Sequence, residues 1–477
     1  MALLPGFIGP SYEVRSVNVD AERCINLYPE ITESGTGKNV VALYGTPGLR
    51  QDWFIPDGGG RALYTSVATG RVFAVVGHQF LELGVGGGFL LWGTLLSGGG
   101  PVSMAENMTQ LVLVDGSPNG YCFTFASNTW QAITDAGFQG GDVVTSIDGY
   151  FVLNAPRTQQ WYISALNDGL SYPILDFASA EGAPDLVVSL FADHRELWVF
   201  GTISTEVFFN SGNQDFPFDR IQGAFIRQGC AAPQSPARLD NSLVWLGRDT
   251  LGQGMVWRAN GYIPQRISTH AVETSLGRYA RLDDAVGYSE QRDGHQWYVL
   301  GFPTGNATWV YDASTQLWHE RADVDNTTGG RKQHRALYHT FGFGQHLVCD
   351  ATDGRIYTSS LDLYSNGLDP LVSERIAPHI HSEERLLYYS LFELIAEAGI
   401  GTSGTAGPGT LPDWMLRWSN DGGHTWGPEQ WQSGGLSGAY RQRMLWRRLG
   451  RARDRVFHIK IADPVKRALI NARIEVN

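Results

Sequence analysis

A strand–turn–strand unit recurs along most of this chain, and that recurrence limits its possible architectures more than any single motif does. The clearest copy covers residues 308–321: Trp309, Val310 and Tyr311, a polar cluster over 312–316, then Leu317 and Trp318. β-Branched and aromatic side chains suit a pleated, half-buried surface, while Asp, Ser and Thr hydrogen-bond their own backbone in turns. Related runs occur over 62–92, 111–130, 150–164, 196–209, 243–258 and 346–357. Six or seven units in this span give a period of about 45–50 residues, that of the four-stranded blades of β-propellers.

Composition agrees with an all-β protein. The 477 residues include 58 Gly, 15 Trp, 19 Tyr and 22 Phe against only 36 Lys plus Arg, so turns and large flat side chains are both abundant. Residues 1–48 read as an N-terminal extended arm, because Pro5, Gly6, Gly9 and Pro10 disfavour regular structure and only short extended pieces follow. Residues 49–370 form the β-propeller-like domain of six or seven blades. One helix interrupts it, with Ser268 and Thr269 able to cap it and Ala271, Val272, Leu276 and Tyr279 on its apolar face. From residue 371 to 477 the rhythm changes to longer strands that alternate apolar and charged residues, which predicts a separate C-terminal β-sandwich with a basic end.

Charge is unevenly spread. Residues 441–477 hold eleven Lys or Arg against three Asp or Glu, a balance of +8, and the other 440 residues hold 25 against 45, a balance of −20. A body this acidic is a poor general DNA binder, because neutralising phosphates is what supplies non-specific affinity. Cys24, Cys122, Cys230 and Cys349 are widely spaced with no CxxC pair, which argues against a zinc site or a disulfide scaffold and for folding in a reducing cytoplasm. No apolar run is long enough to cross a membrane, and residues 1–10 lack a basic leader.

Several motifs invite chemistry. Ser419, Asp421, Gly423 and Trp426 match the Asp-box pattern S-x-D-x-G-x-x-W, which resembles sialidases and other propeller glycosidases. Physically the motif is a structural hairpin staple, with the acid bonding turn amides and the glycines allowing positive φ. A glycosidase needs two carboxylates facing across a sugar, whereas the adjacent pairs Asp283–Asp284 and Glu383–Glu384 would point to opposite faces of a strand. His379 and His381 share a strand face as metal ligands would, but no third ligand sits at a suitable spacing. There is no GxSxG, Walker A or Rossmann signature. The expectation is therefore a protein that is not an enzyme, with no catalytic, cofactor-binding or metal-binding residue.

Residues 441–455 hold seven arginines with Trp446 among them, denser than a solvated face requires. Arginine pairs carboxylates bidentately and stacks on aromatic rings, so Arg443, Trp446, Arg447, Arg448, Arg451, Arg453 and Arg455 are the candidate partner-binding residues.

The same stretch carries a family resemblance. Residues 445–457, then Asp463, Pro464 and Val465, then 472–476, resemble the packaged-DNA stabilization proteins, or tail hub proteins, of short-tailed phages. So do residues 26–30 (Asn26, Leu27, Tyr28, Pro29, Glu30), residues 44–49 and the helix-bearing insertion at 268–279. The resemblance implies a virion component that assembles as a hexameric ring beneath the portal and its head-to-tail adaptor. It would close the channel after packaging, retain the genome, hold a tail needle or plug and support tailspikes or fibres. Genomic DNA would pass through the lumen without sequence-specific binding, and an acidic lumen would repel its phosphates. The resemblance implies no cofactor, no membrane insertion, and a place in the virion tail after assembly in the host cytoplasm. The alternatives are a sialidase-like propeller glycosidase acting on surface polysaccharide, resting on the Asp-box alone, and a carbohydrate-binding propeller using exposed Trp residues.

Overall fold

Each recurrent unit folds as a four-stranded antiparallel meander. In the computed structural model, which describes residues 2–32, 34–35, 39–180, 182, 185–249, 251–383, 385–402 and 407–477, seven such meanders follow one another. They cover residues 60–94, 103–132, 144–179, 187–226, 237–266, 286–320 and 336–360, and are called blades 1 to 7 in that order. The count lies within the expected six or seven.

The strands that are conspicuous in the sequence are the central ones. Val72–Val76 and Gln110–Val114 are buried along their whole length, as are nearly all of Tyr150–Asn154 and Ser242–Arg248. A strand covered on both faces reads as a continuous apolar run. Aromatic clusters fill the gaps between neighbours: Phe73, Phe80 and Phe123 between blades 1 and 2, and Trp198, Phe200 and Trp245 between blades 4 and 5. The 308–321 hairpin is the outer half of blade 6, with Tyr311 opposite Trp318. Its turn is held by Asp312, whose carboxylate accepts from the Ser314 backbone N–H at 2.9 Å and the Ser314 hydroxyl at 2.6 Å.

The ring is closed by the N-terminal part of the chain. Blade 7 takes three strands from residues 336–360, and its fourth strand is Gly48–Phe54, running from Arg355 opposite Phe54 to Ser360 opposite Gly48 with one register shift between Ile356 and Tyr357; the short strands Ser365–Asn366 and Asp369–Pro370 extend the sheet beyond it. Gly48 is required there, because a Cβ would overlap the carbonyl oxygens of Leu363 and Ser365.

Residues before that strand are extended, and they are woven into the C-terminal sandwich. One sheet has the order Leu27–Ile31, Val41–Gly45, Ala468–Val476, Leu387–Ala396, Met444–Arg447, with Ala2–Leu3 also on Ala468–Val476. The other places Ala21–Ile25, Ser373–Ile376, Asp454–Ile461, Asp413–Ser419 and Gln430–Ser433 side by side. Leu4, Phe7, Cys24, Leu27 and Leu43 thus share one core with Phe392, Trp414, Trp446 and Phe457. Arg375, 0% exposed, clasps this arm by donating to the carbonyls of Phe7 (2.6 Å), Gly6 (2.8 Å) and Pro10 (2.8 Å) while pairing with Glu22.

The sandwich joins blade 6 directly. Ile25 bridges in parallel to Glu320, and Glu320 also accepts from Arg23 Nε (3.0 Å) and Ser11 Oγ (2.8 Å). The single described helix, His270–Leu276, follows blade 5; Thr269 caps it, and Ala271, Val272 and Leu276 are buried, as the sequence predicts. All four cysteines are free and buried.

Candidate interaction surface at the arginine-rich edge

Strand alternation decides which residues of the arginine run reach solvent. Met444–Arg447 is an edge strand paired to Leu387–Ala396, with Phe392 opposite Trp446 and Leu391 opposite Arg447. Successive side chains on a strand point to opposite faces. Met444 and Trp446 therefore enter the sandwich core and Arg447 faces outward.

Two expectations are corrected on this ground. Trp446 is only 2% exposed, its indole N–H donating to the Gln430 carbonyl at 2.9 Å, so it packs the sandwich and offers nothing to a partner. Arg455 is 1% exposed and also internal. Its guanidinium lies 4.1 Å from the Tyr389 ring centroid and 5.2 Å from that of Trp418, and donates to Asn420 Oδ1 (2.8 Å) and the Leu449 carbonyl (2.7 Å). Burial pushes it down to about 10, a buried cation held by aromatic faces and amide oxygens in place of a carboxylate.

The remaining candidates gather at one rim. Arg447 and Arg448 are exposed where the chain turns, and Arg448 adopts φ 59° followed by Gly450 at φ 79°. Backbone bonds from Arg448 N to Ser390 O (3.0 Å) and Leu449 N to Tyr389 O (3.1 Å) hold the turn against the neighbouring strand. Arg451 then pairs opposite Tyr388, which is 52% exposed, and Leu386 is exposed close by in sequence. Arg453 is exposed too. Arg443 is exposed at the strand's other end, where it pairs with the buried Glu393 at 2.7 Å. The product is a cationic edge with apolar side chains among its guanidinium groups, a composition suited to a protein partner.

The Asp-box residues do form a staple. Ser419 Oγ bonds Asp421 Oδ1 at 2.6 Å and accepts from Gly423 N at 2.8 Å, while Asp421 Oδ1 accepts from Thr425 N at 2.9 Å. These bonds to the charged form hold the Asp421 carboxyl well below its usual range. Trp426 packs against the small cluster of Ala21, Ile376 and Val456, under the Arg417 guanidinium at 5.2 Å. The staple joins two strands of the sandwich, Asp413–Ser419 and Gln430–Ser433, and not two strands of a blade.

Other candidates are accounted for. Asp283 pairs with Arg281 (2.9 Å) and Asp284 accepts from Thr304 N (2.8 Å); the two lie in a turn, not on a strand, and both line a 480 Å³ cavity. Of the second acidic pair, Glu384 lies outside the described residues and Glu383 pairs with Arg385 at 3.1 Å. His379 has both ring nitrogens engaged, with Asp454 (2.8 Å) and the Val17 carbonyl (2.8 Å), so it is no ligand.

Sequence reasoning missed one group. Glu290, His339 and His346 bring a carboxylate oxygen and two imidazole nitrogens within 4.8 Å of one another on blades 6 and 7. The signal was faint: the histidines flank a hairpin turn at Phe343 and Gly344, both at positive φ, and Glu290 lies far upstream.

Comparison with known proteins follows the same division into propeller and sandwich. A family model described as "Bacteriophage P22 Gp10, beta-propeller" matches residues 17–363, and one described as "Bacteriophage P22 Gp10, beta-sandwich" matches residues 373–477. The tail hub protein gp10 of Salmonella phage P22 is 23% identical over 376 residues, 75% of this chain and 76% of that protein. Among solved structures, YCF48 from Cyanidioschyzon merolae aligns with TM-score 0.43 at 14% identity, over 65% of this chain and 98% of its own. The N-terminal domain of Nup159 aligns with TM-score 0.44 at 9% identity, over 71% of this chain and 99% of its own.

Proposed function

Because this chain belongs to the bacteriophage P22 Gp10 family through both its propeller and its sandwich, we propose that it is a structural protein of a phage tail and serves there as the tail hub. In this role it forms a six-fold ring below the portal and its adaptor, closes the channel once DNA is packaged, and retains the genome. It also carries the needle or plug and the tailspikes or fibres. The subunit is made in the host cytoplasm and ends in the virion tail, and it acts by shape and contact, not by catalysis.

The observation that carries this reading is the match to a tail hub protein over three quarters of both chains. Charge supports it: the acidic body would line the DNA path with repulsion, so the genome slides without sticking, while the net positive balance is confined to the C-terminal segment 441–477. Arg447, Arg448 and Arg451, exposed together at that edge, are the residues this reading assigns to neighbouring subunits or the adaptor.

The test is assembly on DNA-filled, portal-bearing capsids viewed by negative-stain microscopy. Wild-type protein should add a stub at one vertex and stop DNA leakage. The triple variant Arg447→Glu, Arg448→Glu, Arg451→Glu should remain a folded monomer, since exposed substitutions usually change stability by no more than about 0.5 kcal/mol, yet add no stub. Normal genome-retaining particles from that variant would overturn the assignment of this edge. Failure of the wild-type protein to bind capsids would overturn the hub role itself.

A further inference from the structure

We infer that Glu290, His339 and His346 form a binding site for one divalent transition-metal ion, opening into a 680 Å³ cavity on the propeller. Nothing in the hub role requires such an ion, so the site stands or falls on its own geometry.

Three strands of two blades build it. Glu290 lies on Val286–Arg292, the first strand of blade 6. His339 lies on Ala336–Gly342 and His346 on Gln345–Asp350, the first two strands of blade 7. His339 Nε2 and His346 Nδ1 face each other at 2.9 Å. Each ring is held by an aromatic neighbour: Tyr288 stacks on His339 with centroids 5.2 Å apart, and Phe341 meets His346 edge-on at 5.0 Å. Locked rotamers are what a preorganised ligand set requires.

The carboxylate is the second observation. Glu290 is 4% exposed; its Oε1 is ion-paired with Arg321 Nη1 at 2.7 Å but has no hydrogen-bond partner among the described residues. Its Oε2 is taken by Arg292 Nε (2.9 Å) and Nη2 (2.7 Å). A carboxylate has about four lone-pair positions, so both guanidinium groups leave capacity at Oε1 while fixing its direction. Two imidazoles and one carboxylate suit zinc, nickel, cobalt or copper and are a poor set for calcium or magnesium. Three protein donors leave a coordination position for water, which the cavity supplies. The two arginines outweigh the single glutamate charge, so binding relies on the nitrogen donors, and the histidines are where the site is most sensitive to substitution.

The experiment uses the full-length chain without an affinity tag, stripped with chelator and titrated with Co²⁺ by visible absorption and with Zn²⁺ by calorimetry. One ion per chain is expected, with His346→Gln and His339→Gln each weakening binding by about tenfold or more while circular dichroism stays unchanged. Glu290 is left intact, because removing it would strand Arg292 and Arg321. X-ray absorption of the zinc-loaded wild type is the second readout and should show two imidazoles on the metal. No uptake, uptake that both histidine variants leave unchanged, or a metal shell without two imidazoles would each overturn the site.

Discussion

Arginine does three different jobs in this protein, and burial separates them. At residue 447 it faces solvent; at 455 it is packed among rings; at 375 it is the clasp of the N-terminal arm. Arg375 satisfies backbone carbonyls that a loop beginning with Pro5, Gly6, Gly9 and Pro10 cannot satisfy by regular structure. Replacing it by Met would leave the carbonyl of buried Phe7, the carbonyl of half-buried Pro10 and the half-buried Glu22 carboxylate without their donor. Leaving buried or half-buried acceptors unpaired costs about 1–3 kcal/mol, so Arg375→Met should lower the urea midpoint and expose the first twenty or so residues to protease. Arg375→Lys should recover only part of the loss, since an ammonium lacks the five-donor fork. A midpoint within error of wild type would show that the arm is held by Leu4 and Phe7 alone.

At the scale of elements, closure of the ring by Gly48–Phe54 makes blade 7 dependent on a strand far away in the chain. Trp53 anchors that strand, buried at 5% exposure with its indole N–H shared between the Gly84 and Gly88 carbonyls (3.2 and 3.0 Å) of blade 1. Trp53→Ala should cost about 3–5 kcal/mol, the range for emptying a buried Trp position. Hydrogen exchange should then rise in Arg355–Ser360 well before it rises in blades 3 and 4; uniform acceleration would mean that the strand is no local fastener. The pairing also shows what a sequence reveals. Central blade strands such as Val72–Val76 are legible because two packed faces demand unbroken apolar runs. Inner strands such as Ser103–Glu106 and Ala237–Leu239 are not, being three or four residues long with polar members. The fourth strand of blade 7 is hidden because its register is set by pairing with residues 355–360 and with Asn366, far away in the chain. At the candidate surface, density marked the arginine run as unusual, but only the pairing of Met444–Arg447 with Leu387–Ala396 separates Trp446 from Arg447. No local pattern could have joined Glu290 to two histidines of another blade.

The whole molecule has a joint that titrates. Blade 6, blade 7 and the sandwich meet around buried histidines: His319 lies against the Tyr28 and Trp297 rings, and His334 follows the short pair of strands between the two blades. Neither ring nitrogen of either residue has a hydrogen-bond partner among the described residues. Burial pushes His319 down to about 3, with Arg321 and His295 opposing its charge and Asp312 and Glu290 favouring it. Burial also pushes His334 down to about 4, with Arg321 and Arg335 on one side and Asp323 and Glu290 on the other. Both are therefore neutral in the folded protein and take up protons only on unfolding once the pH falls below about 6.5, their ordinary value. Their contribution is fully present above that pH and is lost as pH falls toward the folded values. Each such histidine adds a slope of up to about 1.4 kcal/mol per pH unit. His295, raised by Asp312 and Glu30, runs the other way, but its stabilising effect is lost as pH rises, so it does not offset the fall across the acid window. The paired carboxylates Glu320 and Asp312, both held below their usual range, add to the loss only when pH approaches about 4. Urea midpoints measured from pH 7 to pH 4.5 should accordingly drop steeply, starting near pH 6 and ahead of the loss from the paired carboxylates Glu320 and Asp312. A midpoint flat down to pH 5 would mean that the joint admits protons without unfolding, and that these two histidines do not couple the propeller's stability to pH.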